Sequence, residues 1–150
     1  MPFTVAVEVT ASPERAFSYL DDPELLKKWV PGFASIRFDK PGVPRSVGTR
    51  FRQRMKGPGL NAECDGEVTA YRPPVEIAIL LRGTGFELES GFRLTPESGK
   101  TRIECTTRIA IHSWKIRLTG PLGTWWLRRK LEQAMQHLVQ VIHMAASPSA

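Results

Sequence analysis

The first ten residues alternate between apolar and polar side chains. Apolar side chains occupy Phe3, Val5, Val7 and Val9, and polar side chains occupy Thr4, Glu8 and Thr10. A period of two is typical of a β-strand that has one buried face. We therefore expect the chain to begin with a half-buried strand.

Two short helices are predicted next, because two helix-start signals follow this strand. In Ser12-Pro13 the serine hydroxyl can accept a hydrogen bond from a free backbone N–H, and proline at the first helical position loses no needed donor. Asp22-Pro23 repeats the signal, and Pro31-Gly32 predicts the end of the second helix. The apolar faces consist of Ala16, Phe17 and Leu20 in the first helix and of Leu25, Leu26 and Trp29 in the second.

Short alternating runs separated by glycine and proline fill residues 33 to 112, which is the pattern of an antiparallel meander. The predicted strands cover residues 33 to 39, 47 to 56, 62 to 71, 74 to 82, 86 to 95 and 101 to 112. We expect the last strand to bulge or stop near His112, because Ile109 and Ile111 share one parity whereas Trp114 and Ile116 share the other.

The second and third of these strands form the clearest predicted hairpin. A turn at Gly57-Pro58-Gly59 places Arg50 opposite Glu67, Arg52 opposite Asp65 and Arg54 opposite Glu63. Opposite charges that face each other across an antiparallel pair stabilise it modestly. We interpret this basic face as structural and solvent-exposed.

The last predicted element is a long amphipathic helix over residues 122 to 144. Apolar residues recur at helical spacing at Leu127, Leu131, Ala134, Met135, Leu138, Val141 and Ile142, and the pattern continues at Ala145. At 1.5 Å per residue such a helix is about 34 Å long, which is enough to cross a whole sheet. Its charged and amide side chains are too frequent for a membrane span. Residues 145 to 150 are predicted to be a frayed tail.

The composition favours one globular domain. The chain has 150 residues, of which 41% are hydrophobic, so it can bury a core without disulfides or a structural metal. Cys64 and Cys105 lie on predicted strands three spacings apart, about 14 Å, which is too far for a disulfide. Free thiols and the lack of an export signal at the N-terminus predict a cytoplasmic protein.

The net charge of +6 is concentrated in two stretches without acidic residues. The first stretch, from Arg45 to Lys56, includes the arginines of the predicted hairpin, which face acidic residues, so nucleic-acid binding is not expected. The second stretch, from His112 to Lys130, also carries Trp114, Trp125 and Trp126. These tryptophans either pack over one end of the core or touch an anionic membrane, with Lys115, Arg117, Arg128, Arg129 and Lys130 on lipid phosphates.

Common catalytic motifs are absent from the sequence. His112, His137 and His143 have no metal-binding spacing, and no Gly-x-Ser-x-Gly sequence occurs. Gly57-Pro58-Gly59 and Gly83-Thr84-Gly85 lack the third glycine of a dinucleotide site. We expect neither a metal nor another cofactor.

The order of the predicted elements and several local motifs resemble the START-like superfamily, in particular its polyketide cyclase/dehydrase and lipid-transport branch. The motifs are Ser12-Pro13 with Ala16-Phe17, Asp22-Pro23, Trp29 before Pro31-Gly32, and Pro73-Pro74. The resemblance implies an α+β helix-grip fold, in which a seven-stranded antiparallel sheet curves around the long C-terminal helix and two short helices follow the first strand. It also implies a cavity between the sheet and that helix.

Strand parity predicts which side chains face this cavity. The expected lining is Phe51, Gln53, Met55, Val68, Ile77, Ile79, Ser90, Phe92, Leu94, Thr107 and Ile109 from the strands, and Trp126, Met135, Leu138 and Ile142 from the helix. The same parity also points Val47, Ala70 and Val75 inward. No inward position of these strands carries a charge or a histidine, so we expect a site without an internal acid or base, unless these residues simply fill a core. A buried Gln53 would need a water or a polar ligand group as its partner.

Three functions remain open at this stage. The first is binding of a mostly apolar small molecule, such as a lipid, an isoprenoid, a quinone or a polyketide-like compound, by a carrier or sensor. The second is a cyclase/dehydratase-type enzyme, which would need a buried polar residue such as Asp21, Tyr71, Arg82 or Arg129 with a shifted pKa. The third is an interaction module for a chaperone or a membrane surface. No catalytic residue is assigned, and the oligomeric state is left open.

Overall fold

The computed structural model describes residues 2–57, 60–112 and 120–146. Seven strands and three helices are present in these ranges, and they confirm the predicted α+β order. The elements are β1 (Phe3–Val9), α1 (Pro13–Asp21), α2 (Pro23–Trp29), β2 (Phe33–Phe38), β3 (Arg50–Gly57), β4 (Leu60–Arg72), β5 (Glu76–Gly83), β6 (Phe86–Glu97), β7 (Lys100–Ile111) and α3 (Gly120–Ala146).

All seven strands form one sheet in the order β1-β7-β6-β5-β4-β3-β2, and every neighbouring pair is antiparallel. The predicted stop of the last strand is confirmed, because β7 ends at Ile111. Cys64 on β4 and Cys105 on β7 are separated by two strands, and both are free and buried, as predicted.

The two short helices begin at the predicted residues. The Ser12 hydroxyl accepts a hydrogen bond from the Arg15 N–H at 3.2 Å, and the Asp22 carboxylate accepts one from the Glu24 N–H at 2.9 Å. Gly32 lies just after α2 with a φ of +76°, and its carbonyl accepts a 2.6 Å hydrogen bond from the Lys56 N–H. A side chain at Gly32 would press against the Lys56 carbonyl, so only glycine suits this connection to β2.

The C-terminal helix α3 packs against β1, α1 and α2. Its side chains Met135, Leu138 and Ile142 are fully buried. Two hydrogen bonds fix its end: the Arg15 guanidinium donates to the Ile142 carbonyl at 3.0 Å, and the Thr10 N–H donates to His143 Nε2 at 3.0 Å. The predicted tail is helical at residues 145 and 146, and residues 147–150 lie outside the described part of the chain.

The β3–β4 hairpin has the predicted register, with Arg50 opposite Glu67, Arg52 opposite Asp65 and Arg54 opposite Glu63. Residues 58 and 59 of the predicted turn lie outside the described ranges. The observed ion pairs differ from the directly opposite pairs at one residue, Glu63. The Arg52 guanidinium contacts both Asp65 at 3.1 Å and Glu63 at 3.5 Å, so the described ion pair of Glu63 is with the diagonal Arg52, although Arg54 lies opposite it as predicted. A long side chain can reach a diagonal neighbour as well as the residue directly opposite.

Three predicted inward positions are wrong. Val47 and Val75 lie in the β2–β3 and β4–β5 connections and are 65% and 42% exposed. A register shift after Val68 pairs Ala70 with Ala78, so that Tyr71 takes the inward position opposite the buried Ile77. An extra residue in one strand reverses the face of every side chain that follows it.

Candidate functional site

The buried side chains form two separate hydrophobic clusters. The helix cluster joins β1, β5, β6 and β7 to the three helices, and its members are Val9, Ala16, Phe17, Tyr19, Leu20, Trp29, Ile77, Leu94, Ile103, Cys105, Ala134, Met135, Leu138 and Ile142. The strand cluster consists of Phe51, Cys64, Val68 and Leu81 on β3, β4 and β5. Among the described side chains, none from α3 belongs to the strand cluster or packs against it. Within the described part of the chain, the strand cluster is thus built from the sheet alone.

Between the two clusters, apolar side chains on the inner face stay half-buried. Ile79 and Leu88 pack against the strand cluster, and Phe92 packs against the helix cluster with its ring 6.1 Å from that of Trp29. Ile109 lies opposite Leu88 and is also half-buried. Inner-face side chains in the middle of a sheet are normally the most enclosed residues of a domain. Their partial exposure marks uncovered apolar surface at the centre of this sheet.

The predicted lining residues divide into two groups and one undescribed position. Enclosed side chains are Phe51, Gln53, Val68, Ile77, Leu94, Thr107, Met135, Leu138 and Ile142. Half-buried side chains are Met55, Ile79, Ser90, Phe92 and Ile109. The backbone of Trp126 lies in α3, but its side chain lies outside the described part of the structure.

Gln53 is a polar residue on the inner face with a weak partner. Its side chain is 7% exposed, and its Nε2 lies 3.1 Å from the Met55 sulfur. A thioether is a poor hydrogen-bond acceptor compared with an oxygen atom. The amide is therefore buried at a cost that this contact offsets only in part.

A group of hydroxyl and thiol side chains lies on β6 and β7. The Ser90 and Thr107 hydroxyl oxygens are 3.3 Å apart, and the Cys105 sulfur is 3.6 Å from each of them. Burial raises the pKa of the Cys105 thiol, and the two hydroxyl contacts lower it. Ser90 is only half-buried, so this group places one accessible hydroxyl within the apolar surface.

A second polar group joins α1 to β4 and to the β2–β3 connection. The Tyr71 hydroxyl donates a 3.0 Å hydrogen bond to Asp21 Oδ2, and Arg45 Nε lies 2.7 Å from Asp21 Oδ1. The Asp21 and Arg45 side chains are 19% and 23% exposed. The Arg45 guanidinium also lies 4.8 Å from the centre of the Phe38 ring, which favours a cation–π contact. We call these three residues the Asp21–Arg45–Tyr71 cluster.

Tyr71 brings a titratable group to the inner face, so the expectation of a site without an acid or base there is wrong. Burial raises the pKa of its hydroxyl, the hydrogen bond and the negative charge of Asp21 raise it further, and Arg45 lowers it. Tyr71 consequently keeps its proton at neutral pH and shares it with Asp21 in the hydrogen bond. Parity failed to find this residue because the register shift after Val68 reverses the faces of β4. No separate signal in the sequence marks that shift.

The other polar candidates do not approach this cluster. Arg82 is exposed and lies 3.8 Å from Glu87. Arg129 is exposed, and its guanidinium lies 5.7 Å from the centre of the Trp125 ring. A pocket of about 650 Å³ is lined by Thr4, Val5, Arg128, Arg129, Glu132, Gln133, Gln136, His137 and Gln140. These lining residues come from β1 and from the polar face of α3, and of them only Val5 packs against a hydrophobic cluster.

The second basic stretch is described only in part. Trp114, Lys115 and Arg117 lie outside the described residues. Trp125 is 59% exposed, and Arg128 pairs with Glu132 at 3.3 Å. Within the described ranges, no helix combines the length and the apolar character needed to cross a membrane. The same ranges contain no group of three or more histidine, cysteine or acidic side chains that could hold a metal ion.

Comparisons with known proteins agree with this architecture. The sequence model described as polyketide cyclase/dehydrase and lipid transport matches residues 2–143. A START superfamily protein from Mycobacterium smegmatis has a similar structure, with a TM-score of 0.80 at 19% identity over 96% of this chain and 98% of that one. The protein TTHA0849 from Thermus thermophilus gives 0.77 at 19% identity over 98% and 99%. Ara h 8.0201 gives 0.72 at 15% identity over 96% and 98%. No curated protein sequence matches the chain.

Proposed function

Since the chain belongs to the polyketide cyclase/dehydrase and lipid transport family, we propose that it binds a mostly apolar small molecule between the inner face of the sheet and α3. The observation that carries this proposal is the partial exposure of apolar side chains at the centre of the inner face, among them Ile79, Leu88 and Ile109. A ligand placed there would cover the surface that the described side chains leave uncovered.

The proposed binding surface has the composition of a small-molecule site. Such sites are mainly apolar, with a few polar groups that set the orientation of the ligand. Here the apolar part consists of Met55, Ile79, Leu88, Phe92 and Ile109. The polar points are Gln53 on β3, Ser90 on β6 and Tyr71 on β4. A lipid, an isoprenoid, a quinone or a polyketide-like aromatic compound matches this distribution, and the protein would act as its carrier or sensor.

The energetics allow useful affinity. Covering about 400 Å² of apolar ligand surface contributes roughly 10 kcal/mol. The loss of translational and rotational freedom on association costs at least about 4 kcal/mol. The remaining free energy corresponds to a dissociation constant in the micromolar range or somewhat below. We further propose a reducing, cytoplasmic setting, because both thiols are free and buried.

Native mass spectrometry of the protein purified from its own host tests the proposal. We expect an additional mass from one small molecule, which is retained under native conditions and lost when the protein is denatured. Extraction of that molecule into an organic solvent would then identify it. A polar, water-soluble adduct would contradict an apolar site.

A cyclase/dehydratase-type enzyme is the second candidate, and Tyr71 is the observation that favours it. Its hydroxyl lies on the inner face and carries a proton at neutral pH, as a group that donates a proton to a substrate oxygen must. In that case Tyr71→Phe would abolish dehydration of an aromatic β-hydroxy ketone while leaving its binding intact. Equal rates for wild type and variant would exclude Tyr71 from such a role.

A further inference from the structure

The Asp21–Arg45–Tyr71 cluster continues the inner face of the sheet. Tyr71 packs against both hydrophobic clusters and lies with its ring 6.0 Å from that of Phe17 on α1. Arg45 covers Phe38, and Phe38 lies opposite Phe51 of the strand cluster with their rings 6.0 Å apart. The polar cluster therefore borders the apolar surface at the end of the sheet where α1 terminates.

Arg45 has hydrogen-bonding capacity that its ion pair does not use. The contact with Asp21 is made through Nε. A guanidinium group carries its other N–H donors on the two terminal nitrogens. These donors can share the Tyr71 oxygen and still bind an acceptor from outside the protein. Because the side chain is only 23% exposed, a hydrogen bond formed there competes with little water.

The charge of the cluster is balanced before any ligand arrives. Asp21 neutralises Arg45 at 2.7 Å, and the Tyr71 hydroxyl satisfies the second carboxylate oxygen. Asp21 Oδ1 makes no hydrogen bond among the described contacts, but it is fully buried, and Oδ2 already accepts the Tyr71 hydrogen bond, so a positively charged ligand group would reach neither oxygen. An oxygen acceptor, by contrast, would find N–H donors held in a fixed direction by Asp21 and by the Phe38 ring.

We propose that Arg45 binds a carbonyl or carboxylate oxygen at one end of the ligand, whose apolar body lies on the half-buried apolar surface next to the strand cluster. This inference rests on the proposed function and narrows its ligand class. The ligand is then an apolar compound with an acceptor oxygen at one end. A plain hydrocarbon would cover the guanidinium without pairing its donors, and would bind more weakly for that reason.

Three probes with the same ring system separate the head group from the apolar body. They are naphthalene, methyl naphthyl ketone and naphthoate, titrated by calorimetry. For the wild type we expect the ketone and the acid to bind at least about tenfold more tightly than naphthalene, as for a hydrogen bond to a charged donor. No binding of any probe to the wild type would contradict the proposed function itself.

A pair of variants isolates the contribution of Arg45 without leaving the Asp21 carboxylate unpaired. Asp21→Asn removes the carboxylate charge and keeps the guanidinium, whereas the double variant Asp21→Asn/Arg45→Met removes both charges. We expect Asp21→Asn to retain the preference for the ketone and the acid. The double variant should lose that preference, with naphthalene affinity unchanged. Arg52→Met, on the exposed outer face of β3, is the matched control and should behave as the wild type.

A measurement on the unmodified protein keeps the inference testable if the double variant does not fold. The NMR signals of the terminal N–H groups of Arg45 should move downfield on addition of methyl naphthyl ketone, as a new hydrogen bond requires, and should not move downfield on addition of naphthalene. A head-group preference that survives in the double variant would overturn the inference. So would an equal loss of affinity for all three probes, which would show that Arg45 only supports the fold.

Discussion

The Phe51 ring lies directly over Gly66 on the neighbouring strand. The two residues face each other across β3 and β4, and a methyl group built on Gly66 would overlap the ring carbons of Phe51. Phe51 is 3% exposed and anchors the strand cluster. Gly66 is thus required by the packing of this ring on the inner face, because its φ is not in the left-handed region.

Gly66→Ala is expected to lower the free energy of unfolding by about 1–3 kcal/mol, since the added methyl group forces the Phe51 ring out of its site. Gly91→Ala is the matched control on β6, because a methyl group there would meet only the Ala78 methyl at 3.5 Å. It should be neutral or stabilising, as alanine restricts the unfolded chain. Urea denaturation of both variants measures the difference. Equal losses of stability would contradict the packing described for Phe51.

Both cysteines should react slowly in the native protein. Burial raises the pKa of Cys64 and of Cys105, and the negative charge of Asp65 adds to the effect at Cys64. Because the thiolate is the reactive form, a chromogenic thiol reagent at pH 8 should modify the native protein far more slowly than the unfolded one. In denaturant, without any reducing agent, both cysteines should react with the reagent immediately. Rapid modification of native protein would show that the sheet opens easily.

Stability should decline in alkaline solution. The pKa values of Tyr71, Cys64 and Cys105 are raised in the folded state, so the native protein retains protons that the unfolded chain releases. Their contribution is complete below the unfolded values, about 8.5 for cysteine and 10 for tyrosine, and is lost as the pH rises through the folded values. Urea denaturation between pH 7 and 11 should show this decline.

Tyr71→Phe separates the tyrosine contribution from that of the thiols. We expect the variant to be about 1–2 kcal/mol less stable at pH 7, because Asp21 loses a hydrogen bond. The gap between wild type and variant should narrow above about pH 10, where the tyrosine hydroxyl of the unfolded chain begins to ionise while the native one keeps its proton. A gap that stays constant over the alkaline range would show that the hydrogen bond to Asp21 does not stabilise the protonated tyrosine.

Gln53→Leu should leave the ligand-free protein as stable as the wild type, or make it more stable by up to about 1 kcal/mol. The reason is that the buried amide has only the Met55 sulfur as its side-chain partner among the described contacts, so its burial is poorly offset. Thermal unfolding of wild type and variant checks this expectation. A loss of more than about 2 kcal/mol would mean that the amide makes a strong hydrogen bond in solution.

Sequence patterns predicted the elements of this fold well because each element carries its own local signal. Ser12 and Asp22 mark helix starts by hydrogen bonds within one turn, and the register of the β3–β4 hairpin follows from a short turn. The candidate site depends on contacts between residues far apart in the sequence, and these contacts have no local signal. Val68, Ala70 and Tyr71 fit either face of a strand by residue type, and only the shifted pairing with β5 turns Tyr71 inward.

The sequence also carries no local signal for the Asp21–Arg45–Tyr71 cluster. Tyr71 lies 50 positions from Asp21, and Arg45 lies in an irregular connection between β2 and β3. Arg45 belongs to a basic stretch that looked like one exposed face, yet it points to the inner side while Arg52 stays outside. The pattern of charges along the chain does not show which of these two arginines is enclosed. Arg45 becomes enclosed only when α1 packs beside β4 and brings Asp21 to it.

The thermal stability of a cavity-filling variant in the presence of ligands tests the central claim most directly. Ile109→Trp adds bulk at the uncovered centre of the inner face, and Arg108→Trp adds the same bulk on the exposed outer face of β7. The three proteins are heated with palmitate, menadione or methyl naphthyl ketone. At about 100 times the dissociation constant, a ligand stabilises the native state by about 2.7 kcal/mol, or roughly 5–11 °C for a domain of this size.

The account predicts such a shift for the wild type and Arg108→Trp with at least one of these compounds. Ile109→Trp should unfold near the wild-type temperature without ligand, because the indole enters unfilled space, and it should show no shift with ligand. A wild type that none of the compounds stabilises, together with an Ile109→Trp variant destabilised by overpacking, would show that the inner face is a filled core and would contradict the proposed ligand site.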